Sequence, residues 1–347
     1  MERKTRIGVI GASGYTGADL VRLAVRHPAI EIAVLTANSH AGKPMASVFP
    51  HLAGLGLPDL VTNEEADWDG IEAVFCGLPH ATSQAVIARL PGHLKVIDMS
   101  ADFRLRDAAV YEKWYGGPHQ ALDLQGQAVY GLSEHYRDAI RQARLVACPG
   151  CYPTAVLILL LPLVGAGLID AGDLIIDAKS GVSGAGRSLK QNILFCEAGE
   201  GMSPYGVASH RHAPEIEQEL SLAAGRDVIV SFTPHLVPMS RGELITCYAR
   251  LAGGASAGDC RRALEARYGA EPFVAMAPEG VNPATHYVRG SNNVMLAAYA
   301  DRAPGRVILV STLDNLVKGS AGQAIQNFNL MFGLTETSGL EQVSLFP

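Results

Sequence analysis

The stretch RIGVIGASGYTG (Arg6–Gly17) decides the fold of the first half of the chain. It begins as a short strand-like run and passes without a spacer into three glycines set three residues apart, Gly11, Gly14 and Gly17. A helical pattern over Ala18–Arg26 follows. A strand, a glycine-rich turn and a helix in this order are typical of the first βα unit of a dinucleotide-binding sheet.

Each glycine of this loop has a physical task, although the spacing is a variant of the G-x-G-x-x-G pattern. Glycine permits the tight turn, lets the backbone approach a pyrophosphate, and lets helix and strand pack closely. The helix N-terminus offers N–H groups and a positive dipole end to phosphates. A glycine turn without a ligand is the alternative. We predict that a dinucleotide binds to Gly11, Ser13, Gly14, Tyr15, Thr16 and Gly17.

The end of the second predicted strand, Glu31–Thr36, indicates which dinucleotide binds. An NAD site usually places a carboxylate there to hold the ribose hydroxyls. Here the strand runs into Ala37-Asn38-Ser39-His40 with Lys43 beyond, and the corner has no acid. Hydroxyl, amide and cation suit a 2′-phosphate better, so we predict NADP with contacts from Thr36 and Ser39; a simple polar turn is the alternative.

Through the first 150 residues, short apolar runs alternate with helical patterns, which predicts parallel βαβ units. The predicted strands are Arg6–Ile10, Glu31–Thr36, Ala73–Leu78, Lys95–Ser100 and Leu145–Ala147, with helices at Ala18–Arg26 and Ser83–Leu90.

After Cys151 the pattern changes to longer strands with fewer helices. The fold class is therefore α/β: a Rossmann-type parallel sheet domain over residues 1–150, and an α+β domain with a mixed or antiparallel sheet over residues 151–314. The last helix, Gly319–Phe332, is expected to return to the first domain, together with the chain over about 315–347. The second domain's predicted elements are strands Asp173–Ala178, Val228–His235, Glu243–Leu251, Val294–Tyr299 and Arg306–Leu313, with helices Pro214–Ala224 and Asp259–Tyr268.

Composition excludes several classes of protein. Of 347 residues, 48% are hydrophobic and 18% charged, and the net charge is −6. No run of Lys or Arg favours nucleic acid or an anionic membrane. The longest apolar stretch, Ala155–Val164, is about half of the roughly 20 residues that a membrane span needs, and predicts a buried helix. We find no signal peptide pattern, and six cysteines in a chain of this size predict a reducing compartment, the cytoplasm.

A candidate nucleophile, Cys151, lies in Cys148-Pro149-Gly150-Cys151-Tyr152-Pro153, just before the apolar helix. A thiol at a helix N-terminus has its pKa lowered toward the reactive thiolate. The nearby N–H groups would also hold an oxyanion. The alternatives are a dithiol redox pair, half of a zinc site and a buried structural cysteine. The last suits Cys148, which still belongs to the strand, and Cys76, Cys247 and Cys260.

The base for this thiol is predicted in Ser209-His210-Arg211-His212-Ala213-Pro214-Glu215. If this stretch is extended, His210 and His212 point to one side. Either histidine would exchange protons with Cys151, and Glu215 would orient it. An H-x-H pair is also half of a metal site, but the sequence offers no further ligands.

These motifs together resemble the N-acetyl-gamma-glutamyl-phosphate reductase family. The likeness runs in order from residue 7 to about 333. It rests on Gly11–Gly17, Asp98–Leu105, Val129–Leu132, Pro149–Thr154, Lys179–Arg187, His210–Ile216 and Asp314–Gly319. The cysteine motif and the Ser100-Ala101-Asp102-Phe103-Arg104-Leu105 run are specific to the family, whereas the glycine loop alone is not.

The resemblance implies a reaction: N-acetylglutamyl 5-phosphate and NADPH give the 5-semialdehyde, NADP and phosphate, in arginine biosynthesis. It implies Cys151 as nucleophile, the His210/His212 pair as base, and a homodimer or homotetramer. Further contacts carried over by motif are Leu78, Pro79, His80, Ser183, Gly184 and Asn315 to the cofactor, and Arg187, Arg211 and Ser183 to the substrate.

Two positions depart from the family pattern. Ser133 stands where Pro is expected, which should matter little. Ala81 stands where Gly is commoner, which puts the cofactor role of the loop Leu78–His80 in question. Two other functions stay open: reduction of a related acyl phosphate (aspartyl, or carrier-bound aminoadipyl or glutamyl), and dinucleotide binding without catalysis.

Overall fold

A computed structural model describes residues 3–347 of the chain. The chain divides into two compact units, and the predicted combination of a parallel-sheet and a mixed-sheet domain is confirmed. Unit 1 comprises Met1–Pro149 and Ser320–Glu341, of which the first two residues lie outside the described part. Unit 2 comprises Gly150–Gly319 and Gln342–Pro347.

The core of unit 1 is a seven-stranded, wholly parallel sheet in the order β3-β2-β1-β4-β5-β7-β6. Ile7, Val9 and Ile10 of β1 are fully buried, as expected of a central strand. The strand order reverses at β1, and the glycine loop leaves from its carboxyl end, where ligands of open α/β sheets bind. The strands are β1 Thr5–Ile10, β2 Ile30–Thr36, β3 Leu60–Val61, β4 Ala73–Cys76, β5 Lys95–Asp98, β6 Val129–Tyr130 and β7 Leu145–Ala147.

Two of these strands end two residues before their predicted ends because polar side chains turn the backbone. The Leu78 N–H donates to the Ser100 hydroxyl at 3.0 Å, and the Ser100 N–H donates to the Asp98 carboxylate at 2.9 Å. Such local bonds compete with the ladder of a sheet. The segments after Cys76 and Asp98 are therefore loops at the carboxyl edge of the sheet.

The three predicted helices of unit 1 all end sooner than the pattern predicts, and α11 also begins later, at Gly322 rather than Gly319. Helix α1 begins at Tyr15 rather than Ala18, because the glycine loop passes directly into it. The sequence pattern missed the polar helices α4 and α6. The helices are α1 Tyr15–Ala24, α2 Met45–Val48, α3 Ser83–Ile87, α4 Ala108–Tyr115, α5 Leu122–Gln125, α6 Ser133–Gln142 and α11 Gly322–Met331.

The closing helix α11 is held in unit 1 by buried amides. The Gln323 and Asn327 side chains both donate to the Gly131 carbonyl, at 2.7 and 2.8 Å. The hydroxyl of Ser133 donates to Asn327 at 2.7 Å and accepts from Gln323 at 2.9 Å. The Ser133 departure therefore adds a satisfied buried hydroxyl to this network.

Unit 2 is built on a mixed seven-stranded sheet in the order β12-β13-β14-β11-β8-β10-β9. Strands β11 and β14 match their predicted bounds, whereas β8 is longer at both ends and β10 begins and ends later than predicted. The strands are β8 Ile169–Gly181, β9 Ser203–Pro204, β10 Ser231–Val237, β11 Glu243–Leu251, β12 Val274–Met276, β13 Val294–Ala300 and β14 Arg306–Leu313. The helices are α7 Cys151–Gly165, α8 Phe195–Ala198, α9 His212–Ala224 and α10 Ala257–Tyr268.

Helix α7 is the central buried helix of unit 2, as the apolar stretch predicts. All residues from Tyr152 to Leu161 are buried, so the helix is apolar on every face. Pro162 lies in its last turn without ending it. Within residues 3–347, no helix is both long and apolar enough to cross a bilayer.

Ala81 adopts a left-handed backbone conformation, with φ of +63°. Its N–H donates to the Asp102 carboxylate at 2.7 Å, which holds the chain in this conformation. We expect Ala81→Gly to raise the free energy of unfolding by about 0.5–1 kcal/mol, because glycine adopts this conformation without a Cβ clash. Denaturant unfolding tests this. The control Ala85→Gly, on the exposed side of α3, should instead lower stability by about 1 kcal/mol. Equal effects of both variants would contradict the assigned strain.

Candidate active site

Cys151 is the first residue of α7, and the residue before it, Gly150, is the helix N-cap. Gly150 has no side chain with which to cap the helix. Backbone donors and the positive end of the helix dipole therefore surround the half-buried Cys151 thiol. This is the environment in which a thiolate is favoured.

The neighbouring thiol, Cys148, is placed very differently. It is fully buried, and burial raises its pKa to about 12. The Asn327 amide lies 3.5 Å from its sulfur. Burial also raises the pKa of Cys247 to about 12 and of Cys260 to about 11. These thiols are structural, whereas Cys196 in α8 is exposed.

Glu215 fastens the start of α7 to the start of α9. It is buried in the first turn of α9, and its carboxylate accepts the Gly150 N–H at 2.9 Å. A carboxylate in the first helical turn also interacts favourably with that helix's own dipole. That Glu215 orients a histidine stays a prediction, whereas its bond to Gly150 shows that it fixes the residue before Cys151.

The stretch from His210 to Glu215 is not extended, which was the condition for both histidines to point to one side. Helix α9 begins at His212, and the Ala213 N–H donates to the His210 carbonyl at 3.0 Å, which closes a turn. Proline is tolerated in a first helical turn, so Pro214 does not delay the helix. The two imidazole rings still lie together, 4.8 Å apart, and each packs edge-on against the ring of Tyr152. Among residues 3–347, no group of three His, Cys, Asp or Glu side chains is placed to hold a metal ion.

His210 is a neutral imidazole with an assigned proton position. Burial first, and the neighbouring Arg211 charge second, lower its pKa to about 4. The His212 N–H donates to Nδ1 of His210 at 3.2 Å. Since a neutral imidazole carries one proton, the proton of His210 lies on Nε2. This nitrogen is therefore a hydrogen-bond donor at neutral pH.

Three polar residues that the sequence reasoning missed surround Cys151. The Tyr205 hydroxyl donates to that of Tyr152 at 3.1 Å, and burial raises the pKa of both phenols. The third is Glu243 at the start of β11, a fully buried acid whose pKa burial raises to about 8. Only the place of Tyr152 next to Cys151 gave a signal in the sequence.

Three residues predicted from the family motifs lie together in unit 2. The Asn315 amide donates to the Ser183 hydroxyl at 2.9 Å, and its oxygen accepts the Gly242 N–H at 2.9 Å. Gly184 lies beside them, since a Cβ there would stand 3.8 Å from the Asn315 amide nitrogen. The two predicted arginines, Arg187 and Arg211, are both exposed.

The glycine loop of unit 1 has the close backbone approaches that its spacing predicts. Gly11 has a φ of +81°, and a Cβ there would lie 2.4 Å from the Gly77 carbonyl oxygen. At Gly17 a Cβ would lie 2.5 Å from the Gly11 oxygen. At Gly14, the N-cap of α1, it would meet nothing closer than 3.6 Å. The fold needs glycine at positions 11 and 17, whereas Gly14 leaves the helix N-terminus open toward a ligand.

The other predicted cofactor contacts lie along the carboxyl edge of the same sheet. Leu78 reaches the glycine loop, since its Cδ2 would be 3.5 Å from a Cβ on Gly11; Pro79 and His80 are exposed. Thr36 is buried and donates to Asn63 at 2.6 Å. The exposed Ser39 pairs with Nδ1 of His40 at 2.9 Å.

Comparison with known protein families matches both units of the chain. Residues 6–143 match the semialdehyde dehydrogenase NAD binding domain, and residues 151–315 match the semialdehyde dehydrogenase dimerisation domain. The chain is similar to aspartate semialdehyde dehydrogenase II from Vibrio cholerae, with a TM-score of 0.72 and 15% identity over 96% of this chain and 99% of the other. The Candida albicans aspartate semialdehyde dehydrogenase, described with NADP, has a TM-score of 0.65 at 18% identity over 95% and 98%. These matches show that the chain has the semialdehyde dehydrogenase fold.

Closer relatives define the family within this class. The N-acetyl-gamma-glutamyl-phosphate reductase of Rhodospirillum rubrum is 56% identical over all of both chains. A probable chloroplastic N-acetyl-gamma-glutamyl-phosphate reductase of Arabidopsis thaliana is 54% identical over 100% of this chain and 86% of its own. The chain therefore belongs to the N-acetyl-gamma-glutamyl-phosphate reductase family, as its motifs predict.

Proposed function

We propose that this chain reduces N-acetyl-L-glutamyl 5-phosphate to N-acetyl-L-glutamate 5-semialdehyde with NADPH and releases phosphate. The observation that supports this most strongly is the place of Cys151, at an uncapped helix N-terminus with the neutral His210 packed on the next residue. A soft nucleophile beside an oxyanion donor suits acyl transfer. The relatives from Rhodospirillum rubrum and Arabidopsis thaliana, which are 56% and 54% identical to this chain, are named as a reductase and a probable reductase of this kind.

Cys151 carries the acyl group in this proposal. Its thiolate attacks the acyl carbon, and the C–O bond to phosphate breaks with its electron pair leaving on phosphate. The product is a thioester, which accepts hydride far more readily than a carboxylate. After reduction, the C–S bond breaks and the semialdehyde leaves.

His210 stabilises the oxygen of the reacting carbonyl. Negative charge develops on this oxygen when sulfur attacks and again when hydride is delivered. The Nε2–H of the neutral ring is a donor for it, and its low pKa keeps the ring from becoming a cation. The centre of the His212 ring lies 4.8 Å from the centre of the His210 ring. Together the two histidines exchange protons with Cys151 and with the departing groups.

The residues of unit 1 fit a dinucleotide. The open N-terminus of α1 at Gly14 would hold the pyrophosphate. Leu78, Pro79 and His80 would border the nicotinamide ring of the cofactor. In unit 2, Ser183, Gly184 and Asn315 would complete the contacts. When bound, the reduced cofactor supplies the hydride.

NADPH should be preferred over NADH because residues 37–43 contain no carboxylate. We expect Ser39→Asp to lower kcat/KM for NADPH at least about tenfold while NADH is affected little, since the new carboxylate repels a 2′-phosphate. Steady-state kinetics with both cofactors test this, and Ser39→Asn is the uncharged control. Equal use of the two cofactors by the unmodified chain would contradict the assignment of this corner.

The substrate's carboxylate is assigned to Arg187 or Arg211, and its phosphate to Ser183. An arginine offers a planar, bidentate fork to a carboxylate. Both arginines are exposed, and the Ser183 hydroxyl accepts a hydrogen bond from the Asn315 amide. These residues would select a dicarboxylate-derived acyl phosphate.

The function is tested most simply in the oxidative direction. The chain should oxidise N-acetylglutamate semialdehyde with NADP only when phosphate is present, and much faster than aspartate semialdehyde. The likeness to aspartate semialdehyde dehydrogenases, at 15–18% identity, shows the fold alone. Preference for aspartate semialdehyde, or turnover without phosphate, would overturn the proposal.

We further propose a cytoplasmic homodimer or homotetramer. All six cysteines are free thiols, which suits a reducing compartment. Unit 2 matches a domain described as a dimerisation domain, and it exposes large apolar side chains, Leu189 at 95% and Phe195 at 87%. Sedimentation velocity would give the oligomer.

A further inference from the structure

The segment Asp314–Gly319, which follows β14, leads into one turn of π helix. Val317–Ala321 form this turn, and the Gly319 N–H donates to the Asp314 carbonyl at 3.0 Å, five residues back. Single π-helical turns are rare in proteins and are found frequently at functional sites. The proposed reaction uses only Asn315 of this segment and gives the turn itself no task.

Asp314 fixes the beginning of this turn through a fully buried carboxylate. One carboxylate oxygen accepts the N–H groups of Leu316 and Val317 at 2.9 and 3.2 Å, and the other accepts the N–H of Gly290 at 2.7 Å. The Arg241 guanidinium lies 3.5 Å from the first oxygen. Hydrogen bonds to an ionised carboxylate are roughly twice as strong as those between neutral groups. Side-chain bonds therefore hold the beginning of the turn, as the backbone bond holds its end.

Gly319 lies directly against the base of the Cys151 side chain. A Cβ on Gly319 would stand 2.7 Å from the Cβ of Cys151 and 3.2 Å from its Cα. Neither of these atoms can rotate away, because both are fixed to the backbone of the first turn of α7. A Cβ does not come this close to another carbon atom in a folded protein. Only glycine therefore lets the turn approach Cys151 to this distance.

The residue before Cys151 is fixed independently. The Gly150 N–H donates to Glu215 at 2.9 Å, and the Gly150 carbonyl accepts the Thr154 hydroxyl at 2.8 Å. Cys151 is thus held at its backbone through Gly150 and at its Cβ by Gly319. The freedom left to the sulfur is rotation about the Cα–Cβ bond. Such restraint matters for a nucleophile, because a misplacement of about 1 Å can cost about 100-fold in rate.

We propose that Gly319 is a positioning residue for the Cys151 nucleophile, and that Asp314 keeps Gly319 in place. This rests on the proposed role of Cys151. The absence of a side chain at position 319 lets the turn pack against the Cβ of Cys151. This contact holds the sulfur at the N-terminus of α7, beside the backbone N–H groups of the first turn. Gly319 acts on the reaction through Cys151.

The first test is the rate at which iodoacetamide alkylates Cys151, which does not depend on the substrate. Mass spectrometry measures this rate in a Cys196→Ser background that removes the exposed thiol. Gly319→Ala should lower the rate at pH 7 by about tenfold, because the added methyl group moves the sulfur away from the N–H groups that favour a thiolate. Asp314→Asn should lower it by about threefold, because the amide keeps the size of the side chain but loses the charge and one acceptor.

Turnover supplies the second readout. In Gly319→Ala, kcat should fall by about 100-fold while the KM for the semialdehyde changes by less than about threefold, since the nucleophile moves and the substrate-binding groups do not. In Asp314→Asn, kcat should fall by about tenfold. The enzyme concentration is taken from the number of NADPH-binding sites, so that unfolded chain is not counted.

Gly269→Ala is the matched control, because it adds a crowded methyl group at the end of α10. Its Cβ would stand 2.9 Å from the Glu265 carbonyl oxygen. This variant should lower Tm and leave both rates unchanged. If it slowed alkylation as much as Gly319→Ala does, reactivity would follow general stability and the proposal would be overturned.

Parent rates of alkylation and turnover in a folded Gly319→Ala chain would also overturn the proposal. If Gly319→Ala does not fold, the isosteric Asp314→Asn decides, and parent rates in that chain would overturn it. Failure of the proposed reaction has a different signature. No chain, including the parent, would then turn over the semialdehyde, while the alkylation rates would still test the positioning of Cys151.

Discussion

Cys151→Ser should lower kcat by about 10⁴-fold or more, the largest effect expected of any single change in this chain. Serine keeps the size of the side chain, but its hydroxyl stays protonated at neutral pH even at the N-terminus of α7. The thioester therefore does not form. Cofactor affinity, measured by fluorescence titration with NADPH, should be unchanged because the glycine loop belongs to unit 1 and is untouched.

Cys148→Ser is the matched control for this prediction. Cys148 is fully buried with a pKa of about 12, so it contributes no thiolate at neutral pH. The variant should keep most of its turnover and lose only stability, by about 1–2 kcal/mol, because a hydroxyl is buried in place of sulfur. An active Cys151→Ser chain, or an inactive but folded Cys148→Ser chain, would reverse the assignment of the two thiols.

Gly17→Ala should weaken cofactor binding by about 100-fold and also lower stability by about 1–3 kcal/mol. The new Cβ would stand 2.5 Å from the Gly11 oxygen and 2.7 Å from the Ala12 Cα, so the start of α1 must move. Several backbone N–H groups would then no longer face the pyrophosphate. Isothermal titration and thermal unfolding measure the two effects separately.

Gly14→Ala separates binding from folding. Its φ of −83° suits alanine, and its Cβ would come no closer than 3.6 Å to the Gly11 oxygen. Tm should therefore stay within about 2 °C, while the added methyl group obstructs the approach of the pyrophosphate to the helix N-terminus. Wild-type cofactor affinity in both variants would show that this loop does not bind the dinucleotide.

The sequence predicts best those features that depend on residues close together in the chain. The glycine loop, the start of α7 at Cys151 and the apolar burial of that helix each follow from a dozen residues or fewer. The ends of β4 and β5 could not be placed, because they depend on bonds from Ser100 and Asp98 that compete with the sheet. The His210 turn was missed for a related reason: the α9 pattern gives no sign that the helix begins before Pro214.

Contacts between segments that are distant in the chain could not be predicted from the sequence. Glu243 resembles an ordinary polar residue at a strand edge until its pairing with β8 and β14 buries it. The bond from Gly150 to Glu215 joins residues 65 positions apart. No local pattern encodes such a pair, since it exists only once the sheet and the helices have packed. The sequence pattern indicated Glu215 only through its place beside the histidines.

Trapping the acyl-enzyme tests the central claim, that Cys151 carries the acyl group. The Cys196→Ser chain is incubated with N-acetylglutamate semialdehyde and NADP without phosphate, so that the thioester forms and has no phosphate to accept it. The digest is then analysed by mass spectrometry, with fragment ions that separate Cys148 from Cys151. The account predicts an N-acetylglutamyl group on Cys151 that hydroxylamine removes. The same group on Cys148, or on no cysteine while NADP is being reduced, would contradict it.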